Sequence, residues 1–130
     1  MKFRMIAATC AALAFWMVGP ASAGAVFNGV IPNISGKSLI ANEVNYGPGE
    51  ATPAHTHDPS AFILAYVVSG AIESKVNDGE TRIYHAGESF TETPGAIHSI
   101  CRNASKTDPA KMLVVFVVDT NHKAMLTPMK

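Results

Sequence analysis

Three histidines carry the chemistry open to this sequence. His55 and His57 flank a single threonine in Ala54-His55-Thr56-His57-Asp58, and His98 closes Pro94-Gly95-Ala96-Ile97-His98. On extended backbone the side chains repeat with period two, so imidazoles at i and i+2 point to one side. Neutral imidazole is the commonest metal ligand, which makes a His-X-His pair on a strand a pincer for a metal. Three protein ligands with one position left open is the pattern of a reactive metal, whereas a structural metal favours four ligands, often with cysteine. The set suits one divalent transition metal, Fe, Mn, Ni, Cu or Zn, without choosing among them. The competing reading is that the three are polar residues lining an empty or ligand-filled barrel.

The elements that must position these residues are short extended runs between turn signals. Val26–Ile31 ends at Pro32, and Ser38–Tyr46 ends at Gly47-Pro48-Gly49. Pro53–His57 is extended, because Pro53 turns Thr52 away from helix. Ala61–Val68 is a nearly unbroken apolar run, and Ala71–Val76 follows Gly70. Asp78-Gly79 then predicts a tight hairpin into Thr81–His85. Glu88–Thr93, Ile97–Arg102 and Lys111–Val118 complete the set, and the chain from Asp119 onward reads as a loose tail. About eight strands at roughly 8–12-residue spacing, with no helical period after residue 24, predict an all-β barrel or sandwich.

The first residues read differently. Met1-Lys2-Phe3-Arg4, an apolar run over Met5–Val18 and the Ala21-Ser22-Ala23 triplet form the pattern of a signal peptide cleaved after Ala23. The run is too short to span a bilayer, which takes about 20 residues. The expected division is therefore residues 1–23 as leader and 24–130 as one exported domain, periplasmic or secreted, that acquires its metal outside the cytoplasm. That domain carries eight Lys and Arg against ten Asp and Glu, a net charge of −2, after Lys2 and Arg4 are removed. With no basic patch, nucleic acid and anionic membrane surfaces are not expected partners. Cys10 leaves with the leader. Cys101 then stands alone, as a small buried residue, an intermolecular disulfide partner or a neighbour of His98.

Taken together, these residues resemble the cupin family of small jelly-roll β-barrels. Its first motif runs Gly, five residues, His-X-His, three or four residues, Glu, six residues, Gly. Gly49, His55, His57 and Gly70 match it, but the Glu position counted back from Gly70 is Ile63, and the gap from His57 is one residue longer. The second motif runs Gly, five residues, Pro-X-Gly, two residues, His, three residues, Asn. Gly87, Gly95 and His98 keep that register, the proline stands one place late at Pro94, and Arg102 holds the Asn position with Asn103 next. The resemblance covers about residues 47–103. It implies a single-domain jelly-roll barrel in which His55, His57 and His98 face one metal, with water or substrate completing the shell in place of the missing Glu.

Glu92, six residues before His98, shares a strand face with Phe90. If that face is inward, its carboxylate is a fourth ligand, a partner holding a histidine N–H or a general base. If outward, it is an ordinary surface residue. With Ile63 facing in, Ala65 and Val67 join it as an apolar inner wall with Phe90. Phe62, Leu64 and Tyr66 then face outward, as the seat of a covering strand or a homodimer contact. Arg102 shares parity with His98 on a regular strand, which would present a guanidinium to an anionic substrate.

Two functions follow. One is a metal-dependent enzyme of the oxygenase type acting on a small molecule, with Glu92 as its catalytic carboxylate. The other is a non-catalytic module that binds or senses a metal or a small ligand. Inward, convergent polar groups around the metal favour the first.

Overall fold

The structure, a computed structural model, describes residues 21–130. Residues 1–20, most of the expected leader over residues 1–23, lie outside them. Eleven strands occur in chain order, with no helix among the described residues. They are β1 (Ser22–Val30), β2 (Lys37–Tyr46), β3 (Ala51–Thr52), β4 (His55–His57), β5 (Phe62–Ser69), β6 (Ala71–Val76), β7 (Arg82–His85), β8 (Ser89–Glu92), β9 (Ile97–Asn103), β10 (Ala110–Asp119) and β11 (Leu126–Pro128).

Two antiparallel sheets face each other as a jelly-roll barrel. One has the order β1-β2-β10-β5-β8 and the other β11-β4-β9-β6-β7, with β3 also on β9. The inner faces follow from alternation. Ile63, Ala65 and Val67 of β5 are buried, as are Met112, Val114, Phe116 and Val118 of β10, while their sequence neighbours face out. The ends of the strands are set by glycines in the left-handed region, where a side chain is disfavoured. Gly70 (φ 72°) is the tightest of these, because a Cβ there would meet the Pro109 carbonyl at 2.6 Å.

Two readings of the chain are corrected. The segment after Asp119 is not loose, since Leu126–Pro128 pairs antiparallel with His55–His57. Three residues without alternation give no strand signal of their own; the pairing comes from the free edge that β4 offers. Arg102 also departs from simple parity with His98. The β9 ladder slips against β6 between the pairs Lys75–Ile100 and Val76–His98, placing an extra residue on β9. Such a bulge reverses every face beyond it. Cys101 and Asn103 therefore point inward, and Arg102 points out to form an ion pair with Glu73.

Candidate metal centre

β4 holds His55 and His57 because both its edges are paired. On one side His55 lies directly opposite His98 of β9, and on the other His57 lies opposite Leu126 of β11. Thr56 points away, so both imidazoles enter the barrel beside His98. All three are buried, and one ring nitrogen from each lies within 4.8 Å of the others.

Hydrogen bonds on the far side of two rings fix their tautomers. His55 Nδ1 donates to the Pro53 carbonyl at 2.8 Å, and His57 Nδ1 to the Met125 carbonyl at 3.2 Å. When neutral, each ring then turns an unprotonated Nε2 inward, and the two Nε2 atoms are 3.2 Å apart. Burial lowers the His55 pKa, and the neighbouring His57 and His98 rings push the same way, against the Pro53 contact that raises it. His55 is thus held in the neutral form that binds metal.

Glu92 faces the same point and is 2% exposed. Its Oε1 lies 3.3 Å from His98 Nδ1 and its Oε2 3.1 Å from His57 Nε2. Burial pushes this carboxyl up, but His57 and His98, when they present a proton to it, outweigh burial and hold it at about 2 in the metal-free chain. Burial likewise opposes charge on His98, whereas Cys101 and Glu92 raise its pKa to about 10. His98 Nε2 is 2.9 Å from Ser74 Oγ, so both its nitrogens have partners.

The residues fit a metal ion. Glu92 Oε2 is buried without a hydrogen-bond partner even though it is 3.1 Å from His57 Nε2. With Nδ1–H of His57 committed to Met125, that close approach sets a carboxylate oxygen and two nitrogen lone pairs against one another. Electron-rich atoms crowded together in a dry interior are costly without a cation or a proton among them. The donor set, imidazole nitrogen with one carboxylate, is that of a first-row transition metal. Glu92 is also the residue paired across the ladder from Ile63. The carboxylate absent at position 63 is thus supplied by the adjacent strand.

A cavity of about 180 Å³ opens onto these side chains. Its walls come from β2 and β10, through Val44, Met112, Val114 and Phe116, and from Met125 and Leu126 at the C-terminal end. The Tyr46 hydroxyl also lines it, 2.7 Å from Thr52 Oγ1 and 3.2 Å from Cys101 Sγ. Burial raises the Tyr46 pKa, followed by the adjacent Cys101, which keeps the phenol protonated.

Placement differs from expectation at four of the wall positions. Ile63, Ala65 and Val67 face inward but are sealed in the core, and they do not line the cavity. Phe90 is likewise in the core, where its ring meets the His98 ring edge-on at 5.9 Å. The part of the five-stranded sheet that faces the cavity is β2 and β10, whereas β5 and β8 lie further along it. The wall residues Met112, Val114 and Phe116 were signalled by the alternation of β10. Nothing in the sequence signalled that Tyr46 and Thr52 would meet Cys101.

A family model described as a cupin domain matches residues 42–116. Germin-like protein subfamily 2 member 2 of Arabidopsis thaliana is 32% identical over 90 residues, covering 66% of this chain and 40% of that protein. A recombinant oxalate oxidase, solved in complex with glycolate, is 27% identical with a TM-score of 0.59, covering 69% of this chain and 45% of that one. A protein of Thermus thermophilus, TT1209, superposes with a TM-score of 0.62 at 24% identity, over 76% of this chain and 84% of that one. That last likeness shows the fold alone. The chain spans less than half the length of the first two.

Proposed function

The chain belongs to the cupin family, and from that premise we propose that it is a metal-dependent enzyme acting on a small molecule. His55, His57 and His98 hold one divalent transition metal, and the Glu92 carboxylate accepts a proton from the bound molecule. The observation that supports this most is the orphaned Glu92 Oε2 at 3.1 Å from His57 Nε2, which itself lies 3.2 Å from His55 Nε2. When bound, such a metal polarises an oxygen of the substrate or activates oxygen or water. The chain's own residues do the rest. The Pro53 and Met125 carbonyls orient two of the ligands, as outer partners of metal-binding histidines do. Glu92, ionised and within hydrogen-bond reach of His57, is placed to take a proton from a bound molecule. Oxidation of a small substrate by dioxygen, with a redox-active metal such as Fe, Mn or Cu, is the reaction class proposed.

The experiment is to offer Fe, Mn, Ni, Cu and Zn separately to purified protein and measure the metal kept after gel filtration. One equivalent of at least one metal is expected. If none of the five is retained, the proposal falls.

A non-catalytic sensing module is the second reading, favoured by the outward turn of Arg102 and the largely apolar cavity wall. Glu92→Gln separates the two. A sensor needs the carboxylate only to hold metal, whereas an enzyme also loses turnover at metal saturation.

We also propose export. The support is the leader pattern of residues 1–23, most of which lies outside the described residues. Cleavage after Ala23 would shorten β1 by Ser22 and Ala23, which pair with Asn45 and Val44. N-terminal sequencing of the protein from its own cell envelope would decide the point, with Gly24 first as the expected result.

Homodimerisation is the third proposal. The outer face of the five-stranded sheet exposes Phe62 (46%), Leu64 (40%) and Tyr66 (42%). Across the ladder they neighbour Val117, Val115 and Leu113, which also point outward, and Phe27 extends the same row beyond Ala41. A flat apolar face of this kind matches the core of a two-fold interface, which buries about 800 Å² per partner. Leu64→Arg is expected to convert a dimer to a monomer in sedimentation equilibrium. A wild-type protein that sediments as a monomer contradicts the proposal.

A further inference from the structure

Resting on the metal reading above, we infer that the cavity takes one ring-sized, largely apolar molecule carrying at most a single negative charge. Size comes first. At about 180 Å³ the space is close to that of an engineered apolar cavity of about 150 Å³ that admits benzene. Ala21 and Ala23 form part of its wall, so in the chain that keeps them two fused rings are expected to bind more weakly than one. Apart from Asn42, the walls offered to the body of the molecule are carbon and thioether, from Val44, Met112, Val114 and Phe116.

Charge comes second. No lysine or arginine lines the cavity, and the one guanidinium expected there, that of Arg102, is turned outward onto Glu73. Glu92 is the only acidic side chain on the lining. Three neutral imidazoles and one carboxylate around a divalent ion leave a net charge of +1. A neutral donor or a monoanion is accommodated. A dianion would place an unanswered negative charge in a mostly apolar space, beside the buried Glu92 carboxylate, and charge without a partner there is disfavoured. The Tyr46 hydroxyl, kept protonated, and Thr52 beside it give the ligand's polar end a second place to bond.

The test uses cobalt-loaded wild-type protein titrated calorimetrically with phenol, 2-naphthol and oxalate, with metal content measured after each titration. Phenol is expected to bind at least tenfold more tightly than either of the others, and to shift the visible cobalt bands. Equal or tighter binding of oxalate or 2-naphthol, with metal retained, overturns the inference. So does phenol binding that leaves the cobalt spectrum unchanged, because the phenol then sits elsewhere. Failure to take up cobalt or any other metal overturns the metal reading itself, and the inference with it.

Discussion

His98→Ala is expected to destabilise the metal-free protein far more than His55→Ala, although both variants lose bound metal. His98 is the partner of Glu92 Oε1 and sits 3% exposed beside a carboxylate that is 2% exposed. Removing it leaves a buried charge without compensation, which costs about 3–5 kcal/mol when one member of such a pair is deleted. His55 bonds the Pro53 carbonyl and makes no contact with Glu92 as close as those of the other two rings. Its loss removes one hydrogen bond to the exposed Pro53, at about 0.5–1.5 kcal/mol. A small domain has only about 5–15 kcal/mol in hand, so the His98 variant remains folded but marginal. The gap should widen with pH. Without His98 the Glu92 carboxyl is expected to escape its charge by keeping a proton, so folding then favours the protonated form. That form becomes harder to maintain as pH rises above the ordinary carboxylate range. Urea denaturation of both variants at pH 5 and pH 8 measures this. Equal losses at both pH values would mean that Glu92 and His98 are not coupled.

Glu92→Gln is the second large effect. Glutamine keeps the shape of the side chain and removes its charge. Loss of such a supporting carboxylate typically lowers metal affinity about 10–100-fold. Turnover at metal saturation should fall by a further factor of about 10²–10⁴, the usual share of a general base, on the order of 3–5 kcal/mol of barrier. The wild type's own pH dependence supplies a control independent of activity. Glu92 is held at about 2 from an ordinary 4.5, so its contribution to stability is present above pH 4.5 and is lost as pH falls through 2. His98 is raised to about 10 from 6.5, so its contribution is full below pH 6.5 and is lost as pH rises through 10. The Glu92–His98 contact belongs to both limbs, and Cys101 also raises His98. Thermal melting of metal-free Glu92→Gln should therefore abolish the acid limb and reduce the alkaline one, and a variant with the wild-type profile would mean that Glu92 sets neither limb.

The site was legible in the sequence where local spacing decides it. His55 and His57 share a face because one residue separates them on a strand, and β4 is such a strand. The third histidine, in register with Gly87 and Gly95, stands directly across the ladder from His55. Alternation likewise predicted that Ile63, Ala65 and Val67 turn inward. What required knowledge of partner strands was not legible. Glu92 shares a face with Phe90, but only the pairing of β8 with β5 makes that face the inner one. Arg102 was misplaced because a single extra residue on β9 reverses parity, and a bulge leaves no mark in residue types there. The three-residue β11 is defined by the edge it covers rather than by its own sequence, yet its approach segment supplies the Met125 carbonyl that orients His57.

The central claim is a metal held by three imidazoles with the Glu92 carboxylate beside them. An anomalous difference map from crystals of the metal-loaded protein tests it directly. One peak is expected, about 2.0–2.2 Å from a nitrogen of each of His55, His57 and His98 if the metal is zinc. A metal that binds away from these rings, or that leaves any one of the three uncoordinated, would contradict it.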